Sequence, residues 1–478
     1  MLAFRTMQEK NLIMAICSVT NRMRRWRLAT TLMLLVIPSV AQTGRPAVPC
    51  RIEPVDYKGW QAQQISNRWV QLIVVPQNGG RLMQVTFAGH PYLFVNPKLA
   101  GKYFPPSASH WFNYGGDKIW LLPEGNDDEQ HWVGNSDIID DGPFAFRKLS
   151  EGQQCGIELT GQPDPQTGIQ ISRTIRLDAD SPRIRFHAEM KNVSGHPVEW
   201  SMQSVSQYDT SDAAAGPDAA AHFNHDFWTF TPANPSSSYL NRYHVRFGPA
   251  ENPSASVRDD GFVTVHYVHM AAELWIDSTD GWLTVVDGKS RYAMVERFQY
   301  EAAKSYPGKA SVIFWTNGPE MRLSSDGIPS LSADADASPY YLEAELNSPM
   351  CRLRPGESCA FETEWYPTRT GGEFHGVSDA GIVIRPLSAT RLANGKIKLS
   401  GSFGVLFSGR LVAHFYSEHG ALLATMPLMN VDPTEAASLD TEVAVSEKPS
   451  RLSLHLEDEN GLDRGSLQEI RIADEASH

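Results

Sequence analysis

The chain has 478 residues, with 42 Lys+Arg against 55 Asp+Glu and a formal net charge of −13. That acidic balance argues against a nucleic-acid partner, because such binders carry a basic footprint. Hydrophobic residues make up 41% and charged residues 20%, which excludes a disordered or collagen-like chain, and the length accommodates roughly two to four domains.

In chain order, the first feature is an address. Arg22, Arg24, Arg25 and Arg27 precede an apolar run from Leu28 to Val40, and Ser39-Val40-Ala41 is a small-residue cleavage site. Residues 1–41 therefore read as a secretory signal peptide that includes, before Arg22, an extension that fits no signal design, with Met23 as an alternative start. The run is too short to span a bilayer comfortably, and no other apolar run is long enough for a membrane span. The chain is expected to be exported, periplasmic or secreted. Cleavage would leave Cys50, Cys155, Cys351 and Cys359. An even count in an exported chain permits two disulfides. Cys351 and Cys359 flank Arg354-Pro355-Gly356-Glu357, a turn signal, which leaves Cys50 with Cys155. Four unpaired, buried thiols are the alternative.

From Ile52 to Thr368 the pattern is strand after strand. Ile169, Ile171, Ile175 and Leu177 alternate with other residues, as do Ile184, Phe186, Ala188 and Met190, and period-two alternation means strands with one face on a core. Asp178–Pro182 and Asn192–Gly195 are the turns between them. Short turns imply antiparallel pairing, hence an all-β sandwich or barrel. Near residue 370 the composition shifts: no Trp follows Trp365, and Thr370-Gly371-Gly372 resembles a linker. Residues 50–368 are expected to form one large domain and residues 376–474 a small β-sandwich.

Phosphate loops, nucleophile elbows, H-E-x-x-H and dinucleotide fingerprints are absent. His222/His225 and His266/His269 are weak metal candidates, more simply read as polar loop or strand histidines. No metal or cofactor is implied. The densest stretch runs from Ser109 to Glu124 and includes His110, Trp111, Asn113, Asp117, Lys118 and Trp120. Glycines there allow close backbone approach, and aromatic faces stack on sugar C–H surfaces while polar groups bind hydroxyls. Further on, Glu343 and Glu345 lie two apart on a strand and share a face. Two carboxylates on one buried face raise a pKa, as general acid/base work requires.

Asn78-Gly79-Gly80-Arg81, Gly115-Gly116-Asp117-Lys118-Ile119-Trp120-Leu121-Leu122-Pro123-Glu124 and the Leu342-Glu343-Ala344-Glu345…Pro355-Gly356-Glu357-Ser358…Trp365 ending resemble, in that order, an uncharacterised bacterial family related to aldose 1-epimerases. The resemblance covers roughly residues 52–368. It implies a galactose-mutarotase-like fold, a large twisted antiparallel β-sandwich with sugar on the concave face of one sheet. It implies Glu343 as general base, with Glu345 where relatives carry Gln. The relatives' His before Gly-Phe-Ala-Arg is replaced here by Asp140-Asp141-Gly142-Pro143-Phe144, and a later His-bearing strand by Met202–Gln207. His110 and His131 stand nearest by position.

Three functional readings follow. One is an exported sugar-ring enzyme with Glu343 as base and His110 or Lys118 as proton donor or electrostatic partner, and with Arg81, Trp111, Asn113, Asp117, Trp120, Gln203 and Glu345 around the sugar. The others are a non-catalytic carbohydrate-binding protein and a structural β module of the cell envelope. Oligomeric state is not legible.

Overall fold

A computed structural model describes residues 49–106, 112–124, 138–212, 222–323, 329–331 and 339–474. The expected leader, residues 1–41, lies outside them. The described residues pack as one unit.

The strands pair as the alternation predicts, almost wholly antiparallel. A 12-stranded sheet has at its centre the neighbours Arg81–Phe87, Asp117–Leu122, Val198–Asp209, Tyr341–Asn347, Val312–Thr316 and Ala272–Ile276. A 10-stranded sheet carries Tyr292–Phe298, Ser358–Arg369, Ile184–Asn192 and Ile169–Asp178 side by side. The inward rows of the two sheets form one core: Leu121, Leu342, Ala344, Leu346 and Phe314 from the first meet Ile171, Ile175, Phe186, Met294 and Trp365 from the second. Each such side chain removed from water contributes about 1.5–3 kcal/mol. Residues 381–474 form two four-stranded sheets. Their core of Leu399, Phe403, Leu411, Phe415, Leu452 and Leu454 joins Phe230, Val295 and Tyr366 of the 10-stranded sheet. The small sandwich therefore covers that sheet's second face, away from the 12-stranded sheet.

Of the two cysteine alternatives, pairing is the one found. Disulfides join Cys50 to Cys155 and Cys351 to Cys359.

The inner core holds one polar island. Arg173 occupies the inward row between Ile171 and Ile175, and its guanidinium is paired with Asp117 and lies 4.6 Å from the Phe186 ring centroid. Glu296 is fully buried beside them and accepts a hydrogen bond from the Tyr208 hydroxyl at 2.5 Å. Burial pushes the Glu296 carboxyl up to about 8, and the Asp117 charge adds to the push. Paired charges survive inside a core only when their neighbours satisfy them. Here Ser204 and Ser206 donate to Asp117 at 3.4 and 3.5 Å.

Candidate functional site

Strand pairing assembles the site on the outer face of the 12-stranded sheet. In an antiparallel pair, residues directly opposite share a face. Lys118 lies opposite Val205, which lies opposite Glu345, and Trp120 opposite Gln203, which faces Asn347. Gln207 lies opposite Glu343, then Trp315, then Glu273. One face thus carries Lys118, Trp120, Gln203, Gln207, Glu343, Glu345, Trp315 and Glu273. Glu343, Trp315 and Glu273 keep partial exposure, so the row is reachable from solvent.

Each carboxylate has an amide partner one strand away. The Gln207 side-chain amide donates to Glu343 at 2.5 Å, and the Gln203 amide donates to Glu345. The two carboxyls lie two residues apart on the same strand face. Burial raises the pKa of Glu343, while the nearby Lys118 charge pulls it back. Glu345 is pushed well above the usual carboxylate range, first by burial and then by the Glu343 charge.

Lys118 is held from behind. Its ammonium is 2.9 Å from Asp140 and 3.6 Å from the Trp120 ring centroid. Asp140 also takes the Arg81 guanidinium at 2.7 Å. Burial lowers the Lys118 pKa, and Arg81 adds to that, against the pull of Asp140 and Glu343. The neighbouring Asp141 is raised to about 7 by burial and by the Asp140 charge.

The Asn78-Gly79-Gly80-Arg81 motif explains how Asp140 arrives. Gly79 has φ 65°, and a Cβ there would sit 2.0 Å from the Asp140 carbonyl oxygen. Only glycine lets the helical turn Ile138–Asp141 press against this corner. The Gly79 amide then donates to the Gly142 carbonyl at 2.9 Å. Gly115, with φ 91°, makes the same allowance for the Phe94 carbonyl, 2.2 Å from where its Cβ would be.

Aromatic rings frame the carboxylates. Trp315 stacks on Phe247 with centroids 5.6 Å apart, and Tyr341 on Phe94 at 5.1 Å. The Trp275 indole N–H donates to Glu273 at 2.5 Å. Asn113 lies beside Tyr341, and its side-chain oxygen accepts the Gly115 amide at 3.1 Å.

The structure therefore brings together Glu343, Glu345, Lys118, Trp120 and Gln203, with Asn113 at the margin. Two expectations are corrected. Asp117 is not on the outer face: alternation along its strand turns it inward while Lys118 turns outward, and it pairs with Arg173 in the core. Arg81 is fully enclosed, so it acts by holding Asp140 and cannot touch a ligand itself. His110, Trp111 and His131 lie outside the described residues. The sequence reading missed Gln207, Asp140, Glu273, Trp275 and Trp315. Ala272-Glu273-Leu274-Trp275-Ile276 does alternate, and a polar and an aromatic residue sharing the second face was the available signal.

Of the weak metal candidates, His266 is engaged elsewhere. His266 stacks on Trp228 at 4.0 Å and donates a ring N–H to the His225 carbonyl at 2.6 Å. Among the described residues, no group of three or more His, Cys, Asp and Glu is placed to hold a metal ion. No described helix is long and apolar enough to cross a membrane.

Asp140 offers a direct test of this architecture. Asp140→Asn takes from Arg81 and Lys118 the carboxylate that is paired with both of them. Breaking such a pair costs about 3–5 kcal/mol. The urea unfolding midpoint should fall accordingly, and an unchanged midpoint would show that the two cations are held some other way.

No protein-family model matches the chain, and no curated protein matches it. Solved structures do. A TPR-domain containing protein from Parabacteroides distasonis is similar at 14% identity and a TM-score of 0.43, over 67% of this chain and 48% of that one, so this chain spans about half its length. A galactose mutarotase-like protein from Clostridium acetobutylicum is similar at 9% identity and a TM-score of 0.40, over 67% of this chain and 99% of that one. Galactose 1-epimerase from Lactobacillus acidophilus is similar at 11% identity and a TM-score of 0.39, over 67% and 99%. The likeness is one of fold alone, and the functional reading rests on the side chains described above.

Proposed function

We propose that this chain is an exported carbohydrate-active protein that holds a sugar on the outer face of its 12-stranded sheet. There it opens and recloses the ring by acid/base chemistry of the aldose 1-epimerase kind. The observation that carries the reading is the Glu343 carboxylate, hydrogen-bonded to Gln207, near the Lys118 charge and opposite the partly buried Trp315. Ring opening removes a proton from the anomeric hydroxyl while the ring oxygen receives one. A partly desolvated carboxylate of raised pKa suits the first role. Aromatic faces and side-chain amides suit the C–H and hydroxyl surfaces of a pyranose. The two disulfides support export, because such bonds persist in oxidising compartments.

A second reading, a non-catalytic carbohydrate-binding protein, is favoured by one observation. Among the described residues no histidine is hydrogen-bonded to Glu343, and the Lys118 ammonium is engaged by Asp140. Anomer exchange separates the two. Magnetisation-transfer NMR on a panel of aldoses should show exchange accelerated by catalytic amounts of protein. Binding without acceleration for any aldose would replace the enzyme reading with the binder.

A further inference from the structure

We propose that the site takes the reducing end of a neutral oligosaccharide, and that Phe247 is the platform for a sugar unit further along that chain. The inference rests on the sugar-ring reading and adds to it the class of substrate.

The strand register extends the site past Glu343. Glu343 lies opposite Trp315, Trp315 opposite Glu273, and Glu273 opposite Phe247. These four residues therefore form one row on the outer face, and three inter-strand steps make it about 14 Å long. That is more than one pyranose ring covers. Phe247 is 40% exposed, and its ring is held against the partly buried Trp315, with centroids 5.6 Å apart and planes 27° apart. A lone exposed Phe needs no explanation. This one stands in register with the carboxylate row and is fixed by its neighbour, so it loses little freedom when a sugar stacks on it. On the strand between the two rings stands Glu273, partly exposed, whose carboxylate accepts the Trp275 indole N–H at 2.5 Å. A carboxylate accepts more than one donor, so sugar hydroxyls can share it.

The strand that carries Phe247 is delivered by the Pro- and Ser-rich excursion after Pro232, and that excursion is tied down. The Ser237 hydroxyl donates to Asp277 at 2.7 Å, the Tyr239 hydroxyl donates to the Gly308 carbonyl at 2.5 Å, and Tyr239 stacks on His244 with centroids 5.8 Å apart. His244–Phe247 is the last strand of the 12-stranded sheet on this side, and His244, Phe247 and Gly248 are exposed there, so a chain can run on past the row. The chemistry fixes which end of the chain sits where. Ring opening needs a free anomeric hydroxyl, and in an oligosaccharide only the reducing-end unit has one. That unit lies at Glu343, and the units linked to its other hydroxyls run over Trp315 toward Phe247. The charges on the row are the carboxylates of Glu343 and Glu273, which repel an anionic chain. Arg246, whose guanidinium lies 5.9 Å from the Trp275 ring centroid, is off the row. A neutral chain is the class that fits.

The test compares the binding of glucose, mannose and galactose with that of maltotriose, cellotriose, mannotriose and galactotriose by isothermal titration calorimetry. At least one trisaccharide should bind about 10-fold or more tighter than its monosaccharide. Phe247→Ala should bring that ratio close to one, and Phe247→Tyr, which keeps the aromatic face, should preserve it. Trisaccharides that bind no tighter than monosaccharides, in a protein that exchanges anomers, would overturn the extended substrate and leave ring opening standing. A preference that Phe247→Ala leaves intact would overturn Phe247 as the platform. Tighter binding of trigalacturonate than of galactotriose would overturn the neutral class. A trisaccharide preference that Phe247→Ala removes, with no anomer exchange for any sugar, would uphold the platform and overturn the ring-opening reading, and the reducing-end placement with it.

Discussion

Glu343→Gln is expected to lower sugar-ring turnover by about 10²–10⁴-fold while leaving sugar affinity within a few-fold of the unsubstituted protein. An amide of the same shape cannot accept the anomeric proton. The Gln207 amide still finds a carbonyl oxygen to donate to, so the local hydrogen bond survives. Lys118 loses a nearby negative charge but keeps Asp140 at 2.9 Å, so no buried cation is abandoned. The fold should hold, and the loss should appear in kcat rather than KM. Undiminished kcat would remove Glu343 from the chemistry.

The second large effect concerns the polar island between the sheets. Glu296 is expected to make the protein less stable as pH rises from about 4.5 to about 8. In that window the unfolded chain has released the Glu296 proton and the folded chain still holds it. The folded state binds more protons, so stability falls with pH, and above about 8 this contribution is flat. The full drop is at most about 4–5 kcal/mol for a shift of this size. Asp141 and Glu345 are shifted in the same direction, so the comparison that isolates Glu296 is with Glu296→Gln. That variant should match the unsubstituted protein near pH 5 and exceed it in urea midpoint at pH 8.5. Equal pH dependence in the two proteins would show that Glu296 does not hold its proton in the fold.

The strands were legible because alternation is a local signal. Ile169, Ile171, Ile175 and Leu177 mark the inward row, and the residue missing from that series is Arg173, the partner of Asp117. The same period of two put Glu343 and Glu345 on one face. Applied to Asp117-Lys118, it separates them, one into the core and one into the site. Asp140 was not legible as a partner of Lys118. It reaches the site through a turn whose seat is made by glycines more than 50 residues earlier in the chain. Trp315 and Glu273 were hidden for a related reason: their place beside Glu343 depends on which distant strands pair, and local periodicity carries no register between strands.

A sugar held against Glu343 is the requirement on which ring opening by this protein depends. Trp120, Trp275 and Trp315 share that outer face, so tryptophan emission reports on it directly. Titrating the purified protein with a panel of neutral aldoses should give a saturable emission change for at least one of them, and Trp315→Ala should abolish or sharply weaken it. No response to any sugar, or a response that Trp315→Ala leaves intact, would contradict the site.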